Sequence, residues 1–359
     1  MTQVSPELTN FKALLYIAWE ITHKCNARCV HCYSDSSPEA TCADELSTAE
    51  AFSVIDQLAE AGLIVLAFSG GEPMLRKDWP QLVERAVRRG LAVNIGTNGS
   101  CVTAKTADQL CDLGVKSVTV SIDSHLPGSH DSFRQCSGLF ERATKAIRLL
   151  NERKIRVVVG FTPTLLNWKD GPPVIELARN LGADAVNLSE YVPAGRGTLE
   201  LALSPEQLRQ TLTEWIELRA RYADSIQVIW HDCRVGMLVP PEEKREYVGC
   251  GAGRLVGRIC PDGTLTPCVF LPTAIGNFRE SRFRDMWSKS SLLAHFRQRQ
   301  GYVTGNCGDC EFLATCGGCR AVAHAYSQGD PLAGDPHCWV KPTELTNLTK
   351  LPQGEALPY

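Results

Sequence analysis

The chain has 359 residues, 44% of them apolar, with 37 Lys and Arg against 40 Asp and Glu and a formal net charge of -3. That is enough apolar material for a buried core and more than one domain, and the balanced charge leaves no basic footprint for nucleic acid or an acidic membrane. The opening MTQVSPELTNFK lacks the pattern of a secretion signal and the longest apolar runs are strand-sized, so a cytoplasmic protein with no membrane span is expected. Sixteen cysteines, many at C-x-x-C spacing, then point to metal ligation in a reducing compartment rather than to disulfides.

From about residue 13 to 205 the pattern alternates strand and helix. The apolar run Leu14–Trp19 reads as the first strand. Ser47-Thr-Ala-Glu50 is a capping box that opens a helix to about Glu60, stopped by Gly62. Ile64–Phe68, Ala92–Ile95, Val118–Ile122, Ile155–Phe161 and Ala185–Leu188 read as further strands. Helices are expected between them over about 78–89, 103–113, 139–153 and 173–181, three of them closed by Gly90, Gly114 and Gly182. Six strand–helix steps argue for a parallel sheet wound by helices, either doubly wound or curled toward a barrel. In both cases the C-terminal ends of the strands carry the chemistry.

Ser204-Pro-Glu-Gln207 caps another helix to about Tyr222. Residues 206–235 are read as a linking helix and connector after a domain of 10–205, and residues 236–342 as a smaller Cys- and Gly-rich domain. A tight hairpin is expected at Asp262-Gly263, and a tail over 343–359.

Three constellations stand out. Cys25, Cys29 and Cys32 follow the first strand, and thiolates at this spacing suit an iron–sulfur cluster, or zinc if His31 or His23 supplies a fourth ligand. Ser69-Gly70-Gly71-Glu72-Pro73 follows the second strand, where two glycines let the backbone approach a ligand and Glu72 can accept hydrogen bonds from an ammonium group. Cys250, Cys268, Cys307, Cys310, Cys316, Cys319 and Cys338 fill the C-terminal region, enough for two further clusters or for zinc knuckles. Cys42, Cys101, Cys111, Cys136 and Cys233 read as small apolar residues.

The C-x3-C-x2-C loop followed by Gly-Gly-Glu-Pro resembles the radical S-adenosylmethionine (SAM) superfamily, and the later cysteines resemble its SPASM auxiliary-cluster extension. The resemblance implies a partial (β/α)6 barrel with a smaller C-terminal SPASM domain. It implies a [4Fe-4S] cluster on Cys25, Cys29 and Cys32, with SAM on its open iron and Gly70, Gly71, Glu72 and Pro73 along the methionine end. Asn98 lies in a turn like the family's, Ser121 and Asp123 resemble a ribose and carboxylate contact, and Arg134 a carboxylate partner. Bland readings stand beside these: capping for Ser121 and Asp123, a solvated surface residue for Arg134. The family's crossed ligation implies Cys250, Cys268 and Cys319 on one auxiliary [4Fe-4S] cluster and Cys307, Cys310, Cys316 and Cys338 on another. Cys260, on the hairpin, either completes the first or faces away. His23 and His31 flank the first cluster as shaping residues, His231 and Asp232 are catalytic or merely capping, and no general base is identified.

What the resemblance implies for function is SAM cleavage to a 5′-deoxyadenosyl radical, hydrogen abstraction from a substrate, and loss of a second electron to an auxiliary cluster. An electron donor such as flavodoxin or ferredoxin is implied. Cys316-Gly-Gly-Cys319 with Gly329–Cys338 resembles the haem-type branch and Cys250-Gly-Ala-Gly-Arg254 a peptide-maturase branch; a small biosynthetic intermediate or a tetrapyrrole side chain is expected as substrate, because Cys25 comes early for a leader-binding domain. The alternatives are a maturase of a ribosomal peptide with a separate leader carrier and, from another class, a non-enzymatic iron–sulfur carrier or scaffold.

Overall fold

The computed structural model describes residues 15–240, 242–243 and 247–340. Strand β1 (Tyr16–Glu20) begins the fold; Leu14 and the expected 343–359 tail lie outside the described residues. Helix α1 (Thr48–Glu60) carries the expected capping box, with the Ser47 side chain accepting from the Glu50 N–H and the Glu50 side chain accepting from the Ser47 N–H. Then come β2 (Val65–Ser69), α2 (Trp79–Arg88), β3 (Ala92–Thr97), α3 (Ala104–Asp112) and β4 (Ser117–Ser121). Two helices follow β4: α4 (Pro127–Arg134), not anticipated from the sequence, and α5 (Leu139–Glu152). Helix α4 is polar in composition, and its formation rests on burial of His130, Phe133 and Arg134 rather than on propensity. The series ends with β5 (Arg156–Phe161), α6 (Gly171–Asn180), β6 (Ala185–Ser189) and α7 (Pro205–Arg221), whose N-terminus carries the second capping box, at Ser204.

Residues 206–235, expected as helix and connector, also contain a seventh strand, β7 (Gln227–His231), paired parallel to β6. From the Cys-rich region, β8 (Val256–Ile259) pairs parallel with β1, Tyr16 opposite Val256. Its hairpin partner β9 (Thr264–Thr266) turns at Asp262-Gly263 as expected, with the Cys260 N–H on the Thr264 carbonyl at 2.8 Å. Strand β10 (Gly276–Asn277) closes that edge, and α8 (Phe283–Lys289), α9 (Ser291–Gln298) and α10 (Arg320–Tyr326) complete the described elements.

The strand order is β10-β9-β8-β1-β2-β3-β4-β5-β6-β7. Strands β1 to β7 are adjacent in chain order with no reversal, so successive right-handed crossovers put their helices on one face. A doubly wound sheet would reverse at a switch point. The sheet is therefore the curled, partial-barrel kind, open between β7 and β10. Its core is continuous from Trp19 and Phe68 through Val93, Val118 and Val159 to Ile259, all 0–2% exposed. The strand ends after β1 to β6 share one mouth, and the cysteine loop lies there.

Candidate functional site

The three-cysteine loop is pinned from three sides. The Cys25 N–H reaches the Ser37 carbonyl at 3.1 Å and closes the loop on itself. From α4, the Arg134 and Phe133 carbonyls accept from the Arg28 and Val30 N–H groups at 3.2 and 3.0 Å. From the turn after β6, Arg196 donates its N–H to the Cys32 carbonyl (2.9 Å) and its side chain to the carbonyls of Cys29 (3.1 Å) and Ser36 (2.7 Å). Cys25 and Cys29 are buried and Cys32 is half-buried, and the three thiols lie in one another's electrostatic field. Asn98 Nδ2 donates to the Cys25 sulfur and Arg134 Nη1 to the Cys29 sulfur, each at 3.8 Å. Burial pushes the Cys25 thiol up to about 12. Thiols this reluctant to ionise, already met by two donors, suit a cationic cluster core that removes their protons.

The turn after β2 packs directly on this loop. The N–H groups of Gly71 and Glu72 reach the carbonyls of Thr22 and Lys24, both at 2.8 Å. A Cβ on Gly70 would stand 2.4 Å from the Thr22 oxygen, and one on Gly71 2.2 Å from the Lys24 oxygen. The close approach that these glycines permit is thus to the backbone that presents Cys25. Glu72 is fully buried and accepts from the Thr97 hydroxyl (2.9 and 2.8 Å) and from the Asn98 N–H (2.9 Å). Burial pushes its carboxyl up to about 7 although these donors favour the ionised form. Pro73 opens a short 3-10 turn that Glu72 caps.

Ser121 ends β4 and is half-exposed. Asp123 is buried and paired with Arg134 Nε at 2.6 Å, and its Oδ1 has no hydrogen-bond partner. Burial acts to raise the Asp123 carboxyl, but Arg134 and the nearby His31 and His130 outweigh it and hold it low. An ionised, unpartnered oxygen at the end of a mouth strand fits a hydroxyl-bearing cofactor. Arg134 is buried, not solvated, and the carboxylate it meets is that of Asp123. Asp232 caps the following turn by accepting from the Arg234 N–H at 2.8 Å, and His231 Nδ1 lies 3.3 Å from Asn187 Nδ2. His31 stacks on Phe133 and burial pushes it down to about 4.

The C-terminal cysteines separate into two groups. Cys307, Cys310, Cys316 and Cys338 line one cavity together with Arg234 and Asp335. Cys250, Cys268 and Cys319 are electrostatic neighbours. Among the described residues no three His, Cys, Asp or Glu converge on a single-ion centre. Four thiols lining one cavity suit a multi-iron cluster. Cys260 has Arg258, Glu20 and Asp262 as its charged neighbours.

Sequence reasoning missed several participants. Cys233, read as apolar filler, lies in the electrostatic field of Cys316 and Cys250. Cys42 and Cys111, read the same way, are exposed. Arg234 is 1% exposed and shared by Glu190, Asp232 (3.0 Å) and Asp335 (3.3 Å). Asp335 also accepts from the Cys319 N–H at 2.8 Å. Glu20, fully buried, accepts from Arg258 at 2.7 Å.

A sequentially wound parallel sheet whose mouth carries a three-thiol loop braced by Gly-Gly-Glu-Pro, with two thiol groups beyond it, defines an iron–sulfur enzyme of the SAM-dependent kind. The Radical SAM superfamily profile matches residues 19–179, and the iron-sulfur cluster-binding SPASM domain matches 250–311. The chain is 32% identical over 342 residues to an AdoMet-dependent heme synthase of Methanosarcina barkeri, covering 91% of this chain and 96% of that protein. It is 31% identical over 342 residues to the mycofactocin maturase MftC of Mycobacterium tuberculosis, covering 91% and 83%. SuiB of Streptococcus suis, solved with its precursor peptide SuiA, shares the fold at a TM-score of 0.76 and 16% identity, over 93% of this chain and 78% of that one. The chain belongs to the radical SAM superfamily and carries a C-terminal SPASM domain. It is an enzyme whose cofactors are a SAM-cleaving [4Fe-4S] cluster, auxiliary clusters and SAM. No described helix is long and apolar enough to cross a membrane.

Proposed function

We propose that this enzyme oxidatively modifies a side chain of a tetrapyrrole intermediate. The observation that carries the reading is the nearly end-to-end likeness to a heme synthase. The mouth supports it. Leu126 after β4, Leu165 and Leu166 after β5, and Leu199 after β6 are all exposed, an apolar rim that suits a flat macrocycle. At the C-terminal end of β8, Arg258 is buried with its Nε unpartnered, a donor suited to a substrate carboxylate.

When bound, the cluster and SAM supply a 5′-deoxyadenosyl radical that takes a hydrogen atom from the substrate. In this reading Cys25, Cys29 and Cys32 hold that cluster, and Glu72 accepts the SAM ammonium. Asp123, fixed by Arg134, offers its free oxygen to the ribose. Cys307, Cys310, Cys316 and Cys338 hold one auxiliary group, and Cys250, Cys268 and Cys319 the other. The auxiliary groups these thiols would hold would supply an acceptor for the second electron, leaving the substrate two electrons more oxidised. Flavodoxin or ferredoxin serves as the outside donor.

The test is anaerobic incubation of reduced holoenzyme with SAM and an iron porphyrin bearing propionate side chains. A macrocycle of lower mass, formed in step with 5′-deoxyadenosine, is expected. The likeness to the mycofactocin maturase favours a second reading, modification of a peptide. An unchanged porphyrin beside a modified peptide would establish that reading instead.

A further inference from the structure

We propose that Asp335 is a positioning residue shared by the two auxiliary clusters, holding cysteines of both and setting both reduction potentials. The inference rests on the assignment of Cys307, Cys310, Cys316 and Cys338 to one cluster and of Cys250, Cys268 and Cys319 to the other.

Asp335 is fully buried and lines the same cavity as the first four thiols. Toward that group it offers its backbone. Its N–H donates to the Cys307 sulfur at 3.3 Å, and its carbonyl accepts from the Cys338 N–H at 3.2 Å. Toward the other group it offers its side chain, where Oδ2 accepts from the Cys319 N–H at 2.8 Å. One residue is thus bonded to cysteines of both groups. The turn Cys316-Gly317-Gly318-Cys319 passes from one group to the other, and Asp335 packs against it. A Cβ on Gly318 would stand 2.8 Å from the Cys307 sulfur and 2.9 Å from the Asp335 Cβ.

The carboxylate itself is firmly placed. Its Oδ1 accepts from the His337 N–H at 2.9 Å, and Arg234 Nη1 reaches Oδ2 at 3.3 Å. Both oxygens are taken by donors, so the role left to the side chain is electrostatic. Arg234 is shared with Asp232 (3.0 Å) and Glu190, so it offsets only part of the Asp335 charge. A carboxylate acts strongly on nearby charge in a low-dielectric interior. Reduction makes a cluster more negative, so this carboxylate opposes reduction of both and lowers both potentials. The N–H on the Cys307 sulfur acts in the opposite sense, and on one group alone. Neutralising the carboxylate should therefore raise two potentials at once, which a residue that merely braces the fold does not do.

The test is an EPR-monitored redox titration of the reconstituted full chain, read beside a metal count. Wild type should hold about twelve irons, in three four-iron clusters. Only about four irons, or zinc in place of the rest, would overturn the auxiliary assignment itself, separately from the role of Asp335. Asp335→Asn, which keeps the side-chain shape, should raise both auxiliary potentials and leave that of the cluster on Cys25, Cys29 and Cys32 unmoved. Asp232→Asn is the control. It neutralises a carboxylate on the same Arg234 whose described bonds go to Arg234 and to no cluster cysteine, and it should move both potentials less. The proposal is overturned if Asp335→Asn moves one auxiliary potential or neither, or if Asp232→Asn moves them as far. Where Asp335→Asn sheds iron, Asp335→Ser is read in its place. Where both shed it, the loss should be about eight irons, the two auxiliary clusters together. Loss of one auxiliary cluster alone, or of the first cluster as well, overturns the proposal.

Discussion

Replacing Gly71 by alanine tests how the Gly70–Pro73 turn and the three-thiol loop depend on each other. The added Cβ would stand 2.2 Å from the Lys24 carbonyl oxygen, 2.6 Å from its carbon and 2.9 Å from Cys25 Cβ. Two of the three are backbone atoms, so no rotamer change relieves them. Ordinary contact begins near 3.4 Å, so the loop and the turn must part by roughly 1 Å, which breaks the 2.8 Å bonds that join them. Overpacking of this kind costs about 1–3 kcal/mol of stability. A displacement of about 1 Å between reacting groups costs about 100-fold in rate. The assay is the initial rate of 5′-deoxyadenosine formation under dithionite, with iron content measured alongside. Gly128→Ala is the control, because nothing lies within 4 Å of its Cβ and the residue is helical. Gly71→Ala should fall about 100-fold while Gly128→Ala stays within about twofold. A Gly71→Ala enzyme with wild-type rate and full iron would refute the reasoning.

Glu72 predicts a pH dependence of SAM binding. Its carboxyl, raised by burial to about 7, is mostly protonated at pH 6 and mostly ionised at pH 8. An ammonium group binds the ionised form, so binding releases a proton at pH 6, and affinity should rise about tenfold from pH 6 to 8. Equilibrium dialysis measures this, and Glu72→Gln should abolish the slope. A second prediction concerns the Glu20–Arg258 pair, buried at 0% and 8% exposure. Arg258→Ala strands the Glu20 carboxylate and should cost about 3–5 kcal/mol in urea denaturation, whereas Glu20→Gln with Arg258→Met costs less than the single change. Equal losses in both would contradict the ion-pair account. Arg196→Ala removes three side-chain bonds from the cysteine loop, to the Cys29 and Ser36 carbonyls and the Asp35 carboxylate. It should speed iron loss from the first cluster to a chelator, with auxiliary iron retained.

Local signals in the sequence were easy to read. Ser47 and Ser204 mark their helices because a capping box lies within four residues, and each forms as its chemistry predicts. The strand–helix alternation and the convergence of Cys25, Cys29 and Cys32 with Gly70–Pro73 were legible for the same reason: motif loops after successive parallel strands meet at one mouth. Long-range pairing was not legible. Strand β7 is short, and its pairing is set by β6 about forty residues earlier. Helix α4 looks like a loop until Phe133 and Arg134 find their burial sites. Glu190, Arg234 and Asp335 are 44 and 101 residues apart along the chain, with no spacing rule to join them. Cys233 lacks a C-x-x-C partner, so only the fold reveals that it lies in the field of Cys316.

The central claim is that the three-thiol loop and the Gly70–Pro73 turn drive SAM cleavage coupled to substrate oxidation. Anaerobic, reduced holoenzyme with SAM and a propionate-bearing iron porphyrin tests it in a single time course. The account predicts 5′-deoxyadenosine and a lighter macrocycle appearing together, with both absent in Cys29→Ala. No 5′-deoxyadenosine from a fully loaded wild-type enzyme, or equal amounts from Cys29→Ala, would contradict it.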